Sequence, residues 1–265
     1  MDGEIGASYK VVVLMTSIAE EINRIRATKP KFKSEYKCDK CKDVKVIMVK
    51  DSQTGRMVAR DCDCAAKANA LRYMRMSGIS EVDLKKTIAD YKTFNESELT
   101  QAKKIAYAYQ SRFRGIKLDR HNSLLLSGKP GTGKTMLGIA ILNHILNDGT
   151  PAIYVSYIDI ITRLKQMQYG TDEDKQRFNQ ELERLQNIDV LFIDDLFKAS
   201  ETQKDRELLY NIINFRYLKA KPMIISTEKT PDELIKVDEA LGSRIVEMCK
   251  GYTVVFKNAQ NYRLR

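Results

Sequence analysis

Two groups of residues in this 265-residue chain carry types and spacings that can do chemistry. The first is the run Gly128-Lys129-Pro130-Gly131-Thr132-Gly133-Lys134-Thr135, which fits G-x-x-x-x-G-K-[ST]. Small residues let backbone N–H groups point at phosphate oxygens, and a helix opening behind them adds its positive end. Gly131 and Gly133 permit close backbone approach, Lys134 should reach the outer phosphates, and Thr135 should offer its hydroxyl to magnesium. The binding residues are expected to run from Gly128 through Met136. The second group is Cys38, Cys41, Cys62 and Cys64, spaced C-x2-C, twenty residues, C-x-C. Thiolates so spaced can converge on one zinc ion, each pair held on a short knuckle. Four sulfurs would leave no open position, so the metal would be structural. A redox pair or two separate dithiols are the alternatives. The two histidines, His121 and His144, lie far along the chain and are not expected as ligands.

Further along, "DVLFIDDLF" places Asp194 and Asp195 at the end of an apolar run. In a parallel sheet that end faces the ligand. Asp194 is placed to hold magnesium, and Asp195 to orient or polarise an attacking water. The strand "PMIIST" ends in Thr227 and Glu228, a location for a polar group that senses the terminal phosphate. Arg244, in "EALGSRIVEM", could reach a neighbouring subunit's nucleotide; alone it would be an ordinary solvated charge. An N-K-x-D element for reading guanine is not found, so ATP is expected over GTP.

These residues need a frame. From about residue 101, short apolar segments ("NSLLLS", "AIYVS", "DVLFID", "PMIIST", "YTVVF") alternate with helical patterns. That alternation predicts a parallel sheet covered on both faces. Residues 8–28 read as an amphipathic helix, either packed on its own domain or offered to a partner. The segment between the cysteine pairs reads as two strands joined at "DSQTG", followed by a helix from Ala65. The expected organisation is a helical and zinc-binding front domain at 1–78, a polar join at 79–100 and an ATPase domain at 101–265. Cys249 sits on an apolar helical stripe and reads as a buried small hydrophobe.

The net charge is +10, with 18 basic and 13 acidic residues in 1–90 and 27 and 22 in the remainder. A spread excess fits phosphate contact with nucleic acid, and equally a basic protein with no such partner. Around the cysteines, Lys40, Lys42, Lys45, Arg56 and Arg60 are mixed with Asp39, Asp43, Asp61 and Asp63, which argues against a simple phosphate-binding patch. The apolar runs are too short to span a bilayer, and the first residues lack a secretory pattern. A soluble, cytoplasmic protein with no membrane partner is expected.

The chain resembles the replicative helicase loaders of bacteria and phages, the DnaC/DnaI-like group of AAA+ ATPases. The likeness rests on "YKCDKCKDVKVIM…GRMVARDCDC", "LLLSGKPGTGKTMLGIAI", "VLFIDDLF", "LLYNIINFRYLKAKPMIISTE", "LGSRIVEM" and the terminal "NYRLR". It implies an α/β fold: a P-loop AAA+ parallel sheet flanked by helices, with a small zinc-binding domain before it. It implies ATP, Mg2+ and Zn2+ as cofactors, a hexameric replicative helicase and single-stranded DNA as partners, and self-association through the ATPase domain. The front domain would dock on the helicase. Arg244 would match the arginine finger, and roughly residues 157–185 the extra helical element linked to DNA and assembly. The implied activity is a slow ATPase stimulated by single-stranded DNA. The family commonly has glutamate where Asp195 stands and asparagine where Glu228 stands. A carboxylate at Glu228 would repel a terminal phosphate unless a cation intervenes, so either Thr227 senses it or hydrolysis is slow. An IstB-like transposition ATPase and a non-hydrolysing helicase-binding adaptor are the rival readings.

Overall fold

The computed structural model describes residues 36–51, 54–76, 79–94, 96–198, 202–259 and 261–264. The amphipathic stretch 8–28 lies outside them. The chain divides into two compact units, residues 1–44 and 45–265.

In the first unit the described part is a tight knuckle. The Lys42 amide donates to the Cys38 carbonyl (2.8 Å) and the Val44 amide to that of Cys41 (3.1 Å). The Asp43 carboxylate accepts from the Lys37 and Cys38 amides at 3.1 and 3.0 Å.

The second unit opens with strands β1 (Val46–Lys50) and β2 (Met57–Asp61), which pair antiparallel. They are joined across the expected turn, where Asp51 accepts from the Gly55 amide through its carbonyl and from the Thr54 amide through its carboxylate. Helix α1 (Asp63–Met76) follows. Residues 79–94 hold two short 3-10 turns, and Leu84, Ile88 and Tyr91 from this stretch enter the main core. Helix α2 (Ser97–Ile116) buries Leu99, Ala102, Ala106, Tyr109 and Phe113, a stripe at helical spacing.

The main sheet follows. Strands β3 (Leu124–Gly128), β4 (Ala152–Ser156), β5 (Val190–Leu196), β6 (Met223–Thr227) and β7 (Thr253–Phe256) are all parallel, in the order β4-β5-β6-β3-β7. Helices α3 (Lys134–Asn147), α4 (Tyr157–Gln168), α5 (Asp172–Asn187), α6 (Gln203–Leu218), α7 (Pro231–Val237) and α8 (Glu239–Met248) make the connections. Continuous apolar strands are what a sheet buried on both faces demands. Leu124, Leu125 and Leu126 are fully buried, each stabilising by roughly 1.5–3 kcal/mol. Their side chains alternate between two cores. Leu124 and Leu126 join α2 and α3 with Phe192 and Ile224, while Leu125 joins α4, α6 and α8 with Ile193 and Ile225.

Helix starts follow local chemistry. Thr171, Thr202 and Thr230 each form a capping box with Asp174, Asp205 and Glu233, satisfying amides that the helix leaves open. One fully buried charge braces the frame. The Arg216 guanidinium donates to the carbonyls of Leu185 (2.9 Å), Ile188 (2.8 Å), Asp189 (3.1 Å) and Pro222 (2.6 Å). It thus closes the end of α5 and the entries to β5 and β6. Burial pushes its pKa down to about 9, still cationic at neutral pH. Cys249 is fully buried after α8, and burial raises its thiol.

Candidate nucleotide site and cysteine cluster

The glycine loop leaves β3 and opens α3. At Gly128 (φ 144°) a β-carbon would lie 2.5 Å from the Phe256 carbonyl. At Gly133 (φ 86°) it would meet the Tyr91 ring at 2.6 Å. Both positions therefore need glycine for space as well as for backbone angle. The Tyr91 hydroxyl donates to the Thr132 carbonyl (2.9 Å), so a residue from the expected join holds the loop from below.

Within the loop, Lys134 is 5% exposed, and its ammonium donates to the carbonyls of Gly128 (2.7 Å) and Lys129 (2.9 Å). Burial lowers its pKa, while Asp195, Glu228 and Asp194 pull the other way. Thr135 donates to the Asp194 carboxylate at 3.0 Å. That hydroxyl is equally close to both carboxylate oxygens; the Tyr154 hydroxyl donates to Asp194 Oδ2 at 2.9 Å, and the Ser226 hydroxyl donates to Oδ1. Burial raises the Asp194 pKa, the charge of Asp195 adds to that, and the three hydroxyls oppose it.

Register explains this convergence. β5 lies between β4 and β6, so Tyr154 and Ser226 flank Asp194 from opposite sides. The β5–β6 register shifts between Ile193 and Leu196, and Asp195 (φ 55°) and Phe197 (φ 57°) are left-handed there. Such irregularities re-aim side chains at sheet ends. The Asp195 amide donates to Ser226 Oγ (2.9 Å), and its carboxylate forms an ion pair with Lys198.

A cavity of about 350 Å³ lies above these groups, lined by Pro130, Gly131, Gly133, Lys134, Thr135, Met136, Asp195, Lys198 and Glu228, with Ile79, Asp83 and Tyr262 among its other walls. Of the residues named from the sequence for this site, Gly128, Lys129, Thr132, Asp194, Thr227 and Arg244 are not on its wall. Thr227 is fully buried, and its hydroxyl donates to the Leu196 carbonyl (2.8 Å). Arg244 lies on α8, where Nε donates to Asn214 Oδ1 (3.0 Å) and the guanidinium sits 5.3 Å from the Tyr210 and Tyr217 ring centres. Tyr154, Ser226, Lys198 and Tyr91 were not singled out by sequence. The signal was present for two of them: a tyrosine in "AIYVS" and a serine in "MIIST" are polar groups in strands that must be buried, and each needs a partner.

The sulfur atoms of Cys38, Cys41, Cys62 and Cys64 lie within 4.8 Å of one another. Zinc–thiolate bonds near 2.3 Å at tetrahedral angles separate sulfurs by about 3.8 Å, so the donor set fits zinc. Among the described residues, no other cluster of histidine, cysteine or carboxylate groups suited to a metal is found. Nor is any described helix long and apolar enough to cross a membrane.

Known proteins agree with this geometry. A sequence profile of the family "IstB-like ATP binding protein" matches residues 46–265. The chain is 36% identical over 244 residues to the phage-like element PBSX protein XkdC of Bacillus subtilis, covering 87% of each protein. It is 28% identical over 199 residues to the replicative helicase loader DnaC of Escherichia coli, covering 73% of this chain and 76% of that one. The crystal structure of DnaI superposes with a TM-score of 0.56 at 20% identity, over 69% of this chain and 94% of that one, a likeness of fold. By sequence profile, by relatives and by an AAA+ type of parallel sheet, this chain belongs to the IstB-like family of ATP-binding proteins.

Proposed function

We propose that this protein is an ATP-dependent loader that grips a hexameric replicative helicase and helps place it on single-stranded DNA. The observation that carries the reading is the pairing, in one chain, of a glycine-loop cavity with a four-sulfur cluster. The similarity to DnaC supports it.

In this reading the loop amides and Lys134 hold the phosphates. Thr135 and Asp194 already share a hydrogen bond, and together they would hold Mg2+, which neutralises phosphate charge when bound. Asp195 would orient the attacking water. Ile79 and Tyr262, on the cavity wall, suit an adenine face. Arg244 would act on a neighbouring subunit's nucleotide once α8 meets that subunit, and the segment 157–185 would meet DNA at such a boundary. Phosphate contacts would bind single strands without sequence preference, in keeping with the charge of +10. The sulfur cluster would hold structural zinc in a front region that docks on the helicase. ATP would act as a switch only so far as it binds the assembled state more tightly than the free one.

A second reading has an observation behind it. Asp195 is engaged by Lys198, and a carboxylate, Glu228, stands on the cavity wall. Both features suit a slow or silent site, as in an adaptor that binds nucleotide without turnover. Two measurements decide. Native mass spectrometry with candidate hexameric helicases, with and without ATP, should give an ATP-strengthened complex; no complex with any of them refutes the loader. Phosphate release with and without single-stranded DNA should drop to background in Asp195→Asn; wild-type rates equal to that variant's favour the adaptor.

A further inference from the structure

The cavity carries three carboxylates, on Asp83, Asp195 and Glu228, and two ammonium groups, on Lys134 and Lys198. Lys134 is engaged with the loop carbonyls. Lys198 is the more exposed of the two, on a flexible stem, and it is paired with Asp195. It shares two adjoining concavities with Glu228. The backbone is bent to put it there. Two left-handed residues, Asp195 and Phe197, precede it, and its own amide donates to the Asp195 carbonyl (3.2 Å). Non-glycine residues avoid that region, so a turn with two of them holds a conformation that ordinary loops do not keep. The hydrogen bond to Asp195 raises the Lys198 pKa, and the charges of Asp195, Glu228 and Asp194 raise it further. Lys198 thus stands against Asp195 and on the same cavity wall as Glu228, the two carboxylates that would otherwise repel a terminal phosphate.

We propose that Lys198 is a second phosphate-recognising lysine, which distinguishes a nucleoside triphosphate from a diphosphate by turning from Asp195 to bind an oxygen of the terminal phosphate and by offsetting the charge of Glu228 there. This rests on the nucleotide-switch reading above. A lysine suits the task because its ammonium is a mobile point charge with three donors, able to turn from carboxylate to phosphate without a fixed fork. Its departure from Asp195 would also leave that carboxylate available to water. The triphosphate would then itself unlatch Asp195, and a diphosphate would not.

The test is calorimetric titration of the full chain, with Mg2+, against ADP and a non-hydrolysable ATP analogue. Lys198→Met should weaken the analogue about tenfold or more and ADP by less than about threefold, as expected for loss of one charge-assisted contact. Lys198→Arg should keep most of the discrimination. Lys198→Met combined with Glu228→Gln should recover most of the lost analogue affinity, which a merely structural role would not produce. Equal weakening of both nucleotides, or of neither, overturns the proposal. Should Lys198→Met fail to fold, Glu228→Gln alone decides: it should tighten the analogue relative to ADP, and an unchanged ratio overturns the assignment. A wild-type chain that binds neither nucleotide removes the nucleotide reading itself and Lys198's role with it.

Discussion

Asp194 is where stability and function should pull in opposite directions, and replacing it with asparagine separates them. The side chain is 5% exposed, and its carboxylate accepts from Thr135, Tyr154 and Ser226. Hydrogen bonds to a charged group are worth about 1.5–3 kcal/mol each. Against them stands the burial of an ion, which costs several kcal/mol even after relaxation, with the Asp195 charge alongside. The raised pKa says that burial outweighs the three hydroxyl donors. An amide should fit the same place, because all three hydroxyls can rotate to accept as well as donate. We expect Asp194→Asn to stabilise the nucleotide-free protein by about 1 kcal/mol, or about 3 °C for a unit of this size. The sign with pH follows. A carboxylate whose folded pKa lies above its unfolded value of 3.8 lends stability below that value and loses it as pH rises through the folded pKa. The advantage of the variant should therefore grow as pH climbs from about 4 and then level off. With Mg-ATP the order should reverse. At a hundredfold excess over Kd, binding stabilises the wild type by about 2.7 kcal/mol, and the variant, having lost its metal-facing carboxylate, should gain little. Scanning calorimetry across pH, with and without Mg-ATP, reads both arms. A nucleotide-free variant that melts several degrees below wild type would mean that the hydroxyl contacts outweigh burial, and the reasoning would be wrong.

Two further outcomes test the frame. Purified wild type should carry about one zinc per chain, and Cys62→Ala should lose it while Cys249→Ala keeps it; equal zinc in all three, by atomic emission, would detach the metal from the four-sulfur cluster. Arg216→Met strips donors from the buried carbonyls around α5 and the β5 and β6 entries, and should cost at least about 3 kcal/mol in urea unfolding. A loss under about 1 kcal/mol would mean that those carbonyls find other partners.

The elements of the sheet were legible because four of its five strands are buried almost throughout and open on apolar runs, and the edge strand β7, half-buried on one face, is still mostly apolar. "LLLSG" needs no partner information to be recognised as β3, and the glycine loop announces its own position between strand and helix. What lay beyond the sequence was parity. "MIISTE" alternates by two like any strand, but nothing in those six residues says which set faces the ligand. Sequence reading put both Thr227 and Glu228 at the terminal phosphate. The structure divides them: Ser226 bonds Asp194 and Glu228 lines the cavity, whereas the intervening Thr227 turns to the Leu196 carbonyl. Pleating makes that division unavoidable once one residue is anchored. The anchor is Asp194, and its effect on β6 depends on β5 being the neighbour of β6, a fact of strand order that no local window contains. The same limit hid Lys198. Its distance from Asp195 along the chain is three residues, yet only the left-handed turn at Asp195 and Phe197 brings its ammonium back over the strand end. The unusual Glu228 was visible as a problem in the sequence; the cation beside it became visible only in three dimensions, because a backbone irregularity, and no motif, put it there.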